Sequence, residues 1–151
     1  MKSRLNTLKV LLDTSFLLPT LGIDVSREVL ECLKRLVEEE VELYYSKFSI
    51  LESLWIAIRL AKDRNLDMER FNEGLRSIVN GGRYMRVEES SEVFNEALRL
   101  YMLGHKDMID NILYATSSSL DFRLLTLDGE LKEFIRGKGL KDIVLLPREV
   151  I

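Results

Sequence analysis

The sequence predicts an α/β protein: a three-layer α/β/α sandwich around a central, mostly parallel five-stranded sheet, formed as one domain over residues 1–151. Two observations lead there. Short apolar runs alternate with longer stretches of helical period, the pattern of parallel strands joined by crossover helices. No internal repeat, low-complexity tract or linker interrupts that alternation.

The first run, Leu8-Lys9-Val10-Leu11-Leu12, is apolar and stops at Asp13-Thr14-Ser15, so it reads as a strand over about 8–13 closed by a tight turn or helix cap. Ser26 to Val37 carries Val29, Leu30, Leu33, Leu36 and Val37 on one face and reads as a helix capped by Ser26. A second strand is expected over 41–46 and a helix from Ser49 to about Arg64. Asp67 opens a third helix that runs to Val79, and Asn80-Gly81-Gly82 ends it. A third strand follows at 84–88, then a helix from Ser91 to Leu103 stopped by Gly104. Lys106 to Leu120 has apolar residues spaced by three and four, which is helical. The run 122–127 is the fourth strand, Glu130 to about Arg136 a short helix, and 143–147 the last strand. The segment 49–79 is longer than a crossover needs, and a helical hairpin there could project from the core to serve dimerisation or substrate clamping, with simple elaboration of the fold as the alternative.

Composition sets the outer limits. With 151 residues, 46% hydrophobic and 31% charged, the chain is one soluble globular domain with a single core. No run of about 18 apolar residues is present, so no membrane span is expected. Met1 to Asn6 holds no apolar signal core, and the single cysteine, Cys32, fits a reducing compartment; both point to the cytoplasm. Cys32 itself reads as small apolar filler on a helix. The net charge of −3 is unusual for a nucleic-acid binder, but four acids discussed next account for it, and without them the net charge is +1. The remaining bases cluster as Arg59, Lys62 and Arg64; Arg83 and Arg86; and Lys132, Arg136, Lys138 and Lys141. Such groups suit phosphates and equally suit solvated helix ends.

The chemistry lies in the acids. Asp13 and Asp128 close strands, Asp110 lies in a helix opening, and Glu52 interrupts the apolar helix start Ser49-Ile50-Leu51-Glu52-Ser53-Leu54-Trp55. In α/β folds the strand C-terminal edge is where ligands bind. Each acid also has a plain structural use. Asp13 can cap a turn, Glu52 and Asp110 can favour a helix dipole, Asp107 is better placed than Asp110 as the helix-start acid, and Asp128 can initiate the Asp128-Gly129 turn. Ionised carboxylates emerging together from apolar segments are costly unless paired or metal-bound, and four of them suggest a shared cation. Mg²⁺ and Mn²⁺ take oxygen ligands and keep several waters, so a few carboxylates suffice. Two such ions about 4 Å apart can clamp a scissile phosphate and activate water without a histidine. The one histidine, His105, reads as a surface or capping side chain, and one His with one Cys excludes a zinc site of the usual nitrogen and sulfur kind.

Taken in order, Leu12-Asp13-Thr14-Ser15, Glu52, Asp110-Asn111-Ile112-Leu113-Tyr114-Ala115-Thr116 and Leu124-Leu125-Thr126-Leu127-Asp128 resemble the PIN-domain ribonuclease family, in particular its small prokaryotic branch of VapC-type toxins. The resemblance covers roughly residues 8–147, and its register at Asp110, Thr116, Thr126 and Asp128 selects Asp110 over Asp107 as a ligand. It implies an endoribonuclease that depends on Mg²⁺ or Mn²⁺ and hydrolyses RNA to leave a 5′-phosphate and a 3′-hydroxyl. Asp13, Glu52, Asp110 and Asp128 would hold metal and carry catalysis; Thr14 or Ser15, Thr126 and Asp107 would support them. It further implies a homodimer and a small antitoxin partner. The chain departs from the compact toxins in its longer middle helices and in the polar Ser117-Ser118-Ser119 after Thr116.

Other readings fit less well. A haloacid-dehalogenase-like phosphatase wants a second aspartate where Ser15 stands, a receiver domain wants a lysine where Pro147-Arg148-Glu149 follows the last strand, and a dinucleotide-binding fold wants a glycine-rich first turn. The alternative of a different class is a catalytically weak PIN-like module that binds RNA or a protein.

Overall fold

The computed structural model describes residues 8–150; the Met1–Asn6 stretch, read as lacking a signal core, lies outside them. Five strands, β1 (Lys9–Leu12), β2 (Glu42–Tyr45), β3 (Met85–Arg86), β4 (Arg123–Leu125) and β5 (Val144–Leu145), alternate with helices. The helices are α1 (Arg27–Glu38), α2 (Lys47–Lys62), α3 (Met68–Val79), α4 (Ser91–Met102), α5 (Met108–Leu120) and α6 (Gly129–Gly137). The sheet order is β3-β2-β1-β4-β5, and every pairing is parallel. The expected elements are therefore present, but the strands are shorter than their apolar runs, most of all β3 and β5 at two residues each. Residues just beyond them still bond across the sheet, the Val87 N–H donating to the Tyr45 carbonyl and the Thr126 N–H to the Leu145 carbonyl, each at 3.0 Å.

Side-chain alternation along the strands divides the interior in two. Val10, Leu12, Tyr45 and Leu125 join the core under α1, α2 and α3, which includes Cys32, Leu36, Phe71 and Ile78. Leu11, Leu124 and Val144 join the opposite core, filled by Leu100, Leu113, Tyr114, Leu131 and Ile135 from α4, α5 and α6. Cys32 is fully buried filler, as its helical position predicts. The α2–α3 hairpin does not stand clear of the domain. Ala57, Phe71 and Ile78 sit in the first core, and α3 lies so close to the loop at Thr20 that a Cβ on Gly74 would come within 2.0 Å of the Thr20 carbonyl oxygen. Its outer side still carries exposed Leu51, Trp55, Ile58 and Met68. Among the described residues no helix is long and apolar enough to cross a membrane.

Capping defines the helix starts. Ser46 caps α2 by accepting from the Phe48 N–H, which moves that helix two residues ahead of the expected Ser49. Asp107 caps α5 and Asp128 caps α6, which begins at Gly129 rather than Glu130. β1 has β2 on one side and β4 on the other, so the chains leaving β1 and β4 diverge and open a crevice at their C-terminal ends. Asp13 is tied there, its N–H donating to the Leu125 carbonyl at 3.0 Å.

Candidate active site

Asp13 follows β1 directly and is 8% exposed. Its Oδ1 accepts from the Thr14 N–H at 2.6 Å, capping a 3-10 turn over Thr14–Phe16, and its Oδ2 accepts from the Thr126 hydroxyl at 2.7 Å. The Thr126 oxygen in turn accepts from the Asp128 N–H at 3.0 Å. One buried hydroxyl thus fixes the acid after β1 to the loop after β4. Asp128 lies three residues beyond β4; its Oδ1 accepts from the Glu130 and Leu131 N–H groups, and its carboxyl is within hydrogen-bonding reach of Asp110.

Asp110 enters from α5. Its neighbour Asp107 is exposed and spends Oδ1 on the Asp110 N–H at 3.1 Å, as a helix cap does. Asp110, one turn on, is only 7% exposed and makes no such cap. The geometry separates the two acids along the line the sequence suggested: Asp107 starts the helix, and Asp110 is buried one turn on. Glu52 is half-buried on α2, and its charge acts on Asp13. Thr14 is buried with an Oγ1 that finds no hydrogen-bond partner, and Ser15 is partly exposed. Thr116 is fully buried but donates to the Ile112 carbonyl within its own helix, so it serves α5 rather than the acids.

The acids lack a built-in counter-charge. Among the described residues, no Lys or Arg forms an ion pair with Asp13, Glu52, Asp107, Asp110 or Asp128. Burial pushes the Asp13 carboxyl up to about 6, with Glu52 and Asp107 adding repulsion and the bonds from Thr126 and Thr14 opposing it. Asp110 is pushed further, to about 9, first by burial and then by the charges of Asp13 and Asp107 and by a hydrogen bond and charge from Asp128. Asp13 thus ionises more readily than Asp110, and a cation beside them would favour the charged form of both. The donor set of carboxylate oxygens, clustered and unneutralised, fits a hard divalent cation.

Two groups escaped the sequence reading. His105, taken as a surface or capping residue, is half-buried, and a ring nitrogen of it lies with carboxylate oxygens of Asp110 and Asp128 in a group all within 4.8 Å of one another. No spacing rule marks it, because it sits in the turn before α5. Glu89 follows β3 with a fully buried side chain, accepts from the Ser46 hydroxyl at 2.8 Å and faces the Lys47 ammonium at 3.9 Å. Its Oε2 belongs to the α2 cap through Ser46, while its buried Oε1 has the Lys47 charge nearby but no hydrogen-bond partner among the described residues.

The basic clusters also divide. Lys132 is buried against the Val144 carbonyl and Glu149, Arg136 pairs with Asp142, and Lys141 pairs with Asp121, so this cluster is spent internally. Arg86 pairs with Glu88, and Arg83 lies over the Tyr84 ring. Arg59, Lys62 and Arg64 are exposed and form no ion pair among the described residues.

Solved structures share this architecture. A toxin–antitoxin complex from Klebsiella pneumoniae aligns over 92% of this chain and 98% of its own, with a TM-score of 0.60 and 16% identity. VapBC2 from Rickettsia felis, bound to a DNA fragment from its promoter, aligns over 92% and 98% with a TM-score of 0.63 and 14% identity. The sarcin–ricin-loop-cleaving toxin VapC20 of Mycobacterium tuberculosis aligns over 89% and 98% with a TM-score of 0.59 and 15% identity. At these identities the likeness is one of fold. No curated protein matches the sequence. The family model described as PIN domain matches residues 10–136, from inside β1 almost to the end of α6, and the chain belongs to the PIN domain family.

Proposed function

We propose that this protein is an endoribonuclease dependent on Mg²⁺ or Mn²⁺ that hydrolyses RNA phosphodiester bonds, with Asp13, Glu52, Asp110 and Asp128 as metal-holding catalytic acids. The observation that carries this reading is the buried acid edge at the β1–β4 crevice, which no basic side chain among the described residues pairs with. A bound divalent cation would lower the pKa of an attacking water and offset negative charge developing on the phosphate.

The chain's own groups prepare that chemistry. The Thr126 hydroxyl and the Thr14 N–H hold the Asp13 carboxylate in one orientation. The α6 amide N–H groups hold Oδ1 of Asp128. Asp107 caps α5 and adds negative charge behind Asp110. Arg59 lies seven residues after Glu52, two turns along the same side of α2, roughly 10 Å away. It suits a phosphate beyond the scissile one, with the RNA strand running along α2.

The toxin–antitoxin neighbours favour a finer reading: a toxin held inactive by a small antitoxin, acting in the cytoplasm and as a homodimer. The exposed Leu51, Trp55, Ile58 and Met68 of the α2–α3 hairpin suit such protein contacts. The test is cleavage of a labelled single-stranded RNA pool with Mn²⁺ or Mg²⁺, comparing wild type with Asp110→Asn. Metal-dependent cleavage that the variant loses supports the enzyme. Equal cleavage by both overturns the assignment of the site, and metal binding without cleavage by either turns the reading to an RNA-binding module.

A further inference from the structure

We propose that His105 is a nitrogen ligand to the cation of the acid edge, making a mixed nitrogen and oxygen site that prefers Mn²⁺ to Mg²⁺. The inference rests on the reading of that edge as a cation site and adds to it a ligand outside the four acids.

The imidazole is oriented by groups whose other polar atoms are already committed. Asn111 is fully buried. Its Nδ2 donates to the His105 carbonyl at 2.8 Å, so its Oδ1 is the acceptor that meets His105 Nδ1 at 2.7 Å. Nδ1 therefore carries the proton, and in the neutral ring the lone pair is on Nε2. This is the support that metal-bound histidines have, with the second ring nitrogen donating to a fixed oxygen. On the other side the Phe134 ring of α6 packs at 5.3 Å between centroids, tilted by 44°. The ring is thus held between α5, which supplies Asp110, and α6, which Asp128 caps, and it lies in one group with both carboxylates.

The chemical consequence is selectivity. Mg²⁺ keeps to oxygen and dehydrates reluctantly, whereas Mn²⁺, although suited to carboxylate, is the first member of the transition-metal affinity order for mixed nitrogen and oxygen sites and tolerates one imidazole beside carboxylates. A histidine needed only to cap a helix would not have its ring fixed by a buried amide beside two acids, and Asp107 already caps α5.

His105 is the only histidine in the chain, so labelling histidine with ¹⁵N marks one residue without mutation. The tag-free protein is titrated with Mn²⁺, and binding is followed by the loss of the free-ion electron paramagnetic resonance signal, with Mg²⁺ as competitor. Pulsed measurements on the frozen complex then read nitrogen coupling to Mn²⁺. The expected result is a ¹⁴N coupling that converts to ¹⁵N on labelling and vanishes in His105→Gln. The variant should also lose about 10-fold or more in Mn²⁺ affinity, with Mg²⁺ affinity changed far less. Mn²⁺ bound to the wild type with no nitrogen coupling overturns the inference and leaves the acid site standing. No Mn²⁺ binding by the wild type overturns both.

Discussion

Helix α6 carries a buried or half-buried charge at each end of its first turn, and the two are handled in opposite ways. At its cap, Asp128 lies beside Asp110, which burial and then the charges of Asp13, Asp107 and Asp128 push upward, and beyond it Asp13 is pushed upward by burial and the charges of Glu52 and Asp107. Four residues on, Lys132 is 6% exposed, yet its ammonium donates to the Val144 carbonyl at 2.6 Å and to Glu149 at 2.9 Å, with Asp142 at 3.8 Å. Burial alone would raise Glu149, but the Lys132 and Leu146 N–H donors and the nearby Arg136 hold it below the usual carboxylate range. One cluster carries its counter-charge and fastens the C-terminal turn over Pro147–Glu149 to β5. The other has no basic partner among the described residues. A buried charge that the fold fully pairs is a structural device; one left unpaired stores cost at the place where function needs it.

The contrast is tested most severely by Asp110→Asn. RNA cleavage should fall by more than the roughly 100-fold that loss of an outer support costs a metal site. The cation-free protein should at the same time melt higher, because a repelled, buried acid is gone. A lower melting temperature would show that Asp110 is structurally paired after all.

The second test is pH. Asp110 near 9 and Asp13 near 6 both lie above the unfolded value of 3.8, so the folded state keeps protons that the unfolded chain releases. Stability of the cation-free protein should therefore decline as pH rises from about 4 towards 9. Urea titrations at pH 5, 7 and 9 should show that slope, and saturating Mn²⁺ should flatten it. Glu149 has the reverse sign: its contribution is present above its unfolded value and is lost as pH falls through its lowered folded value.

Smaller effects are expected from the supports. Thr126→Val removes the donor to Asp13 and the acceptor of the Asp128 N–H, so cleavage should drop about 10- to 100-fold and stability by about 1 kcal/mol. An unchanged cleavage rate would remove Thr126 from the site. Lys132→Met should leave cleavage near wild type and cost about 1–2 kcal/mol by denaturant titration, a figure discounted because Glu149 keeps a third of its side chain in water. Adding Glu149→Gln should recover part of that loss. A large fall in activity from Lys132→Met would mean that the two ends of the turn are not independent.

Much of this was legible in the residues. The alternation of strand and helix, the glycine stop after α3, the serine and aspartate caps and the buried role of Cys32 all follow from local rules. So does the convergence of Asp13 with Asp128, since both follow strands of one parallel sheet. The two-residue lengths of β3 and β5 were not legible, because apolar runs mark burial rather than ladder hydrogen bonds. The basic cluster at Lys132, Arg136, Lys138 and Lys141 suited phosphate or solvent equally from the sequence, and the ion pairs of Lys132, Arg136 and Lys141 with Glu149, Asp142 and Asp121, which come from other segments, were not legible there.

The sequence by itself determined the element order and the helices on both faces of the sheet, since periodicity and capping act over a few residues. The division of the single expected core into clusters on either side of the sheet came from packing. Tertiary structure decided which charges are paired, that Asp107 caps while Asp110 is buried, and that His105 reaches the acids through Asn111 and Phe134. Those outcomes depend on burial and on distances between segments that only packing brings together. A residue's type fixes the charge it offers, and its neighbours in space fix whether that charge is already answered.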